Sequence, residues 1–289
     1  MIIFSSNHHF ETLYNCLKDD FEIKALVTAP PKPMGRGLKK SPNEAHRFAI
    51  KQDLKVFLFP QLNRKSGSII QNFIESNNIK YALVDAYGKI IPRHIINLFH
   101  PGILNIHPSL LPRYRGPAPL SSAILNRDSK SGYTIIQIDD GCDTGDIVAQ
   151  QEVEILPDDS YSSLERKIYD KLHERLSQII KKYYRLEIKP TKQSNKGVIV
   201  TKKVSADSAR LTSDDRAETA YAKYLAYEKW PKPYFIIDNK RFIVTKASLK
   251  CEKLEIATIL PEGKGEMSFR DFKNGYQKLL TKLPDFVKL

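Results

Sequence analysis

Asn105 and His107 stand two residues apart in the segment Gly102–Pro119, GILNIHPSLLPRYRGPAP, at the end of a short apolar run. On a strand, residues two apart project from the same face, so the amide and the imidazole would share one space. Pro108 and Pro112 follow at once and stop the strand, which leaves the histidine at the sheet edge. In open α/β sheets, ligands collect beyond the carboxyl ends of the strands. Asp143 comes 36 residues after His107, within Asp139-Asp140-Gly141-Cys142-Asp143-Thr144-Gly145-Asp146, where Gly141 and Gly145 permit a tight turn. Acyl transfer to an amine needs a proton acceptor, a group that orients it and a donor to the developing oxyanion. An imidazole, a carboxylate and an amide can supply all three. Taken alone, Asn-x-His also describes a hydrogen-bonded strand-end histidine with no chemical task.

Such residues need rigid elements behind them. Short apolar runs at Met1–Phe4, Ile23–Val27, Val56–Phe59, Tyr81–Tyr87, Gly102–Ile106, Tyr133–Ile138 and Val148–Val153 read as strands. Amphipathic stretches at Phe10–Lys18, Glu44–Gln52, Ser68–Asn77 and Ala118–Leu125 lie between several of them. That alternation predicts an α/β domain with a largely parallel sheet covered on both faces. Asp158-Asp159-Ser160 offers N-cap chemistry for a helix running to about Tyr184. Leu186–Gly197 is polar and basic and reads as a linker. Beyond it, Val198–Val204, Tyr234–Ile237, Arg241–Ala247 and Leu254–Leu260 read as short strands, with a helix at Thr219–Tyr227. These predict a small β-barrel or sandwich. The expected domains are residues 1–186, a linker over 187–203, and residues 204–289.

The chain of 289 residues has a hydrophobic share of 41% and a charged share of 27%, enough for a sizeable core in two domains. No apolar run reaches membrane-spanning length, and Met1-Ile2-Ile3-Phe4 reads as a strand rather than a signal peptide. Cys16, Cys142 and Cys251 are too far apart, and odd in number, for a disulfide framework or a zinc site. A reducing, cytoplasmic setting is expected. His8-His9 lacks a third ligand nearby and reads as a polar turn, so no metal is expected. Net charge is +13. Thr28–Asn43 carries four positives and no acid, and Glu165–Lys203 carries twelve Lys/Arg against four Asp/Glu. Either a polyanion track or solvated surface would explain that distribution. Tyr183-Tyr184 and Trp230 could stack on bases, though tyrosines that end an amphipathic helix belong more often to the core or its rim.

Asn105-Ile106-His107-Pro108-Ser109-Leu110-Leu111-Pro112-Arg113-Tyr114-Arg115-Gly116 resembles the signature of the formyltransferase family, which acts on methionyl-tRNA, glycinamide ribonucleotide or amino sugars. Asp143-Thr144-Gly145-Asp146 is similar to that family's acidic loop, at the family's spacing. The resemblance implies catalytic roles for Asn105, His107 and Asp143. It gives Ser109, Leu110, Leu111 and Pro112 to a folate site that Ala86, Tyr87 and Gly88 would flank. The implied formyl donor is 10-formyltetrahydrofolate. Pro33–Pro42 resembles the basic loop with which the methionyl-tRNA branch grips tRNA, which singles out Arg36, Lys39 and Lys40. Pro261-Glu262-Gly263-Lys264-Gly265-Glu266-Met267-Ser268-Phe269 resembles the C-terminal signature of that branch, whose second domain is an OB-type barrel.

Two features depart from the family. Ser5-Ser6-Asn7-His8-His9 stands where a Gly-Thr-Pro turn is usual, and the basic loop is short. The expectation is a Rossmann-like catalytic domain followed by an OB-like domain that binds tRNA. The chain would work as a monomer, away from membranes, formylating the aminoacylated initiator tRNA. Three alternatives remain open at this point: an amino-sugar nucleotide formyltransferase, a formyltetrahydrofolate hydrolase, and a non-catalytic RNA-binding protein of the same fold. The first would not call for an extended basic track, and the last would not need all of Asn105, His107 and Asp143.

Overall fold

A computed structural model describes residues 1–34 and 39–288, without the side chains of Met34 and Lys39. By contact the chain gathers into two units. The first comprises Met1–Gly116, Gly132–Val153 and Ile168–Val200, and the second Pro117–Ser131, Glu154–Lys167 and Thr201–Leu289.

Among the described residues, nine strands precede residue 155: β1 (Ile2–Ser5), β2 (Ala25–Thr28), β3 (Lys32–Met34), β4 (Lys39–Ser41), β5 (Lys55–Leu58), β6 (Ala82–Asp85), β7 (Leu104–His107), β8 (Lys130–Gln137) and β9 (Ile147–Glu154). Seven form one sheet in the order β5-β2-β1-β6-β7-β8-β9, while β3 and β4 pair only with each other. The first five strands of that order run parallel, and β8 is antiparallel to β7. The sheet is therefore mixed, with a parallel core. Every residue of β1, β2 and β6 is buried, as expected of strands covered on both faces. Each accordingly begins with three apolar residues and closes on one buried polar residue, Ser5, Thr28 or Asp85. Ile2, Phe4, Val27, Ile70, Val84, Ile95 and Phe99 belong to one buried cluster of this unit.

The helices up to Tyr184 are α1 (Phe10–Leu17), α2 (Glu44–Lys51), α3 (Arg64–Ser76), α4 (Arg93–Ile96), α5 (Pro119–Leu125), α6 (Tyr161–His173) and α7 (Leu176–Tyr184), of which α5 and the first part of α6 belong to the second unit. Helix α3 starts four residues before the expected Ser68, because Asn63 and Ser66 close a reciprocal capping box. Ser160 does cap α6, accepting from the Ser163 N–H at 3.4 Å. The single helix expected to reach Tyr184 is instead two, broken at Glu174-Arg175. Tyr183 is buried, and the Tyr184 hydroxyl bonds the carbonyls of Ala82 and Gly102 at 3.0 and 2.9 Å. These tyrosines are core residues, which removes them from base stacking.

The second unit holds α8 (Ala217–Ala226), β10 (Tyr234–Ile237), β11 (Lys240–Lys250), β12 (Lys253–Pro261), β13 (Met267–Ser268), α9 (Phe269–Gly275) and α10 (Gln277–Leu280). Its four strands form an antiparallel sheet in the order β10-β11-β12-β13. Burial along β12 tends to alternate, the mark of a half-buried sheet, and Phe235, Phe242, Ile259, Phe269 and Phe272 are among the residues that fill its core. Asp238 and Asn239 both take positive φ, so the two-residue turn matches the twist of the strands it joins. In the Pro261–Phe269 segment, Ser268 caps α9 and Phe269 enters the core.

Val198–Val204, expected to be a strand, forms no ladder and contributes one isolated bridge, Val200 to Arg115. Val198 and Val200 are exposed, so their β-branched side chains have no apolar face to cover.

Candidate active site

Strand β7 carries Asn105 and His107 on one face, and His107 is buried to 5% exposure. The loop bearing Asp143 begins at the wrong end to meet them. Gln137, the last residue of β8, pairs with Leu104, the first residue of β7. The loop must therefore double back by roughly 10 Å, three strand residues, to bring Asp143 to His107. Two close approaches allow that return. A Cβ on Gly145 would lie 1.9 Å from the Gln137 carbonyl oxygen, and one on Gly141 would lie 1.9 Å from Thr144 Oγ1. Asp143 itself takes φ +54, a left-handed conformation that Asp tolerates better than most residues. Asp139 anchors the turn through the Gly141 N–H at 3.0 Å and the Thr144 hydroxyl at 2.7 Å.

Asn105, His107 and Asp143 meet as a result. Asp143 Oδ2 accepts the Gly116 N–H at 2.8 Å and lies 3.5 Å from His107 Nδ1. Asn105 Nδ2 lies 3.4 Å from Asp143 Oδ1. His107 Nε2 is 2.8 Å from the Tyr114 carbonyl oxygen. A carbonyl can only accept, so Nε2 carries the hydrogen and Nδ1 is the ring atom left to take a proton. The carboxylate faces that same atom. Buried Tyr114 holds its carbonyl there from a left-handed backbone conformation, φ +62.

The segment after His107 is built from inside. Ser109 is fully buried and its hydroxyl donates to the Arg113 carbonyl at 2.7 Å. Thr134 Oγ1 donates to the Ser109 carbonyl at 2.6 Å and accepts the Leu111 N–H at 3.1 Å. Gln150 donates to the Leu111 carbonyl at 2.9 Å. Leu111 is buried, while Leu110 and Pro112 are half-buried. Of the four residues given to a folate site, Ser109 and Leu111 thus face the protein, and Leu110 and Pro112 retain accessible surface.

At the end of β6, Ala86 and Gly88 are exposed and both take positive φ. Tyr87 between them is buried, edge-on against Phe4 with ring centroids 5.6 Å apart. Its hydroxyl is buried without a hydrogen-bond partner among the described residues. Burial pushes its pKa up to about 12, so the group keeps its proton at neutral pH and can donate. His9 stacks flat on Tyr169, ring centroids 3.8 Å apart. Lys40 is exposed on β4, whereas Arg36 and the side chain of Lys39 lie outside the described residues.

Reasoning from sequence missed two kinds of partner. Tyr114 and Gly116 act through backbone atoms, which residue type does not reveal. Gln193, 50 residues beyond Asp143, donates to the carbonyls of Asp143 and Gly145 and takes the Arg115 guanidinium on its oxygen. No motif points to it. Among the described residues, no helix is long and apolar enough to cross a membrane.

Comparison with known proteins adds an independent line. The formyl transferase family pattern matches residues 1–180. The methionyl-tRNA formyltransferase of Wolbachia pipientis subsp. Culex pipiens is 33% identical, with 92% of each chain covered. That of Thermus thermophilus is 31% identical over 86% of this chain and 81% of its own. An N-formyltransferase from Helicobacter canadensis, solved with folinic acid and dTDP-3-aminofucose, superposes with a TM-score of 0.64. It is 19% identical and covers 87% of this chain and 88% of its own, which speaks for the fold alone.

Proposed function

We propose a reaction from one premise: the chain belongs to the formyl transferase family, among the methionyl-tRNA formyltransferases. In it the amine of methionyl-tRNA takes a formyl group. The donor would be 10-formyltetrahydrofolate, which supplies the formyl carbon when bound and departs as tetrahydrofolate. One observation carries the proposal, the meeting of Asn105, His107 and Asp143.

Each residue's task follows from its atoms. His107 is fixed as the Nε2–H tautomer by the Tyr114 carbonyl, so Nδ1 accepts the proton that the attacking amine must lose. Asp143, 3.5 Å away, then faces an imidazolium and stabilises it. The proton returns from Nδ1 to the departing nitrogen, which leaves the site as it began. Asn105 Nδ2 has two hydrogens, and one remains for the formyl oxygen as negative charge develops there. At the end of β6, the exposed Ala86 and Gly88 would allow a pterin ring to approach the backbone, while buried Tyr87 anchors the turn in the core. Leu110 and Pro112 would supply apolar surface on the other side. No metal has a task in this scheme.

The second unit, read as an OB-like module, and the β3–β4 hairpin would hold the tRNA. Support comes from the net charge of +13 and from Lys32, Arg36, Lys39 and Lys40 in a stretch without acids. Converting Arg36, Lys39 and Lys40 together to Ala should raise KM for tRNA. It should also flatten the slope of log K against log salt by about two to three units, one lost phosphate contact per residue. Affinity for the folate should hardly change, because surface charge is screened within about 10 Å at 0.1 M salt. An amino-sugar acceptor would instead give a flat salt profile and indifference to the triple substitution.

A further inference from the structure

The polar stretch expected to be a passive linker is pinned to the loops around the candidate site. Thr191 exchanges both backbone hydrogen bonds with Ile147 at the start of β9, at 2.7 and 2.8 Å. Ile199 accepts the Arg115 N–H at 2.9 Å. Between these pins stands Gln193. Its Nε2 donates to the carbonyl oxygens of Asp143 and Gly145, at 2.8 and 2.7 Å. Its Oε1 accepts from Arg115 Nε and one terminal nitrogen, at 3.0 and 2.7 Å.

This carboxamide is fully used, and in one orientation only. Guanidinium nitrogens can only donate and carbonyl oxygens can only accept, so the flipped amide would face donor with donor and acceptor with acceptor. The two carbonyls it holds flank the turn in which Asp143 takes φ +54. The guanidinium it holds belongs to the residue before Gly116, whose N–H binds the Asp143 carboxylate at 2.8 Å. Gln193 therefore ties the backbone that aims Asp143 to the backbone that receives its side chain. A free loop must close this gap at an entropic cost, and any slackness would appear as misalignment of the carboxylate on His107 Nδ1.

We propose that Gln193 is a positioning residue for formyl transfer, acting through Asp143 without touching either substrate. The inference rests on the assignment of Asp143 as the group that orients His107. It makes residues 191–199 part of the catalytic apparatus as well as a tether.

The test compares full-length Gln193→Ala, Gln193→Glu, Asp143→Ala and the double variant Gln193→Ala/Asp143→Ala. Gln193→Glu has the same shape and keeps the partner of Arg115, but it cannot donate to the two carbonyls. Each Gln193 variant should lower kcat by about 10–100-fold, the order expected for misplaced catalytic groups, while KM for the folate donor changes less than about twofold. In the Asp143→Ala background the Gln193→Ala loss should shrink to below about twofold, because residues acting as a unit are not additive. A merely structural role would give the same factor in both backgrounds. If Gln193→Ala fails to fold, Gln193→Glu in the two backgrounds decides. An unchanged kcat, or an undiminished loss beside Asp143→Ala, overturns the proposal. Full activity of Asp143→Ala alone would instead overturn the assignment of Asp143, so the two failures are distinct.

Discussion

His107→Ala and Asp143→Asn are each expected to lower kcat by about 10²–10⁴-fold with the fold intact. The histidine variant removes the only ring atom placed to take the amine's proton. Asp143→Asn is the more searching change, because it is nearly isosteric. Its remaining carbonyl oxygen can still accept the Gly116 N–H, so the loop should keep its course. What disappears is the negative charge 3.5 Å from Nδ1, with the stabilisation of the imidazolium, and the acceptor of Asn105 Nδ2. The two losses should not multiply in the double variant, since each disables the same proton transfer. Steady-state kinetics on the four proteins measure this. An Asp143→Asn enzyme within about threefold of the parent would show the carboxylate to be structural only.

Asn105→Ala is expected to cost about 2.7–4 kcal/mol of transition-state stabilisation, a drop of about 10²–10³ in kcat. The change should fall on kcat rather than on KM, because the formyl oxygen gains its charge only as the bond to nitrogen forms. The side chain is half-buried and its hydrogen bond to Asp143, at 3.4 Å, is long, so little stability depends on it. Asn105→Asp offers a second check. It would set a second carboxylate beside Asp143 and remove the donor, and it should be at least as damaging as alanine. A loss confined to KM would reassign Asn105 to ground-state binding.

Much of this arrangement could be read from residue types. Strands β1, β2 and β6 each open with three consecutive apolar residues because both their faces are covered, and that pattern needs no structure to recognise. Asn105 and His107 share a face by the two-residue repeat of a strand, and their meeting with Asp143 is what the family resemblance implied. What stayed hidden depends on partners distant in sequence. Nothing in the residues at Glu174-Arg175, neither Gly nor Pro, marks the break between α6 and α7. Val198–Val204 has strand-like composition, yet Val198 and Val200 are exposed and only Val200 forms a bridge. The doubling back of the Asp143 loop follows from the register of β8 on β7, which no local pattern encodes. Gln193 is the extreme case, since its task exists only because Arg115, 78 residues earlier, and Asp143, 50 residues earlier, come to it.

In the proposed reaction Asn105, His107 and Asp143 pass a formyl group from 10-formyltetrahydrofolate to methionyl-tRNA. The most direct measurement incubates the purified full-length chain with both substrates and follows formylmethionyl-tRNA, with Asp143→Asn run alongside. The expected result is product formation that requires the folate donor and falls by about 10²–10⁴-fold in the variant. Failure to formylate methionyl-tRNA, together with formylation of an amino-sugar nucleotide or release of formate from the folate, would contradict it.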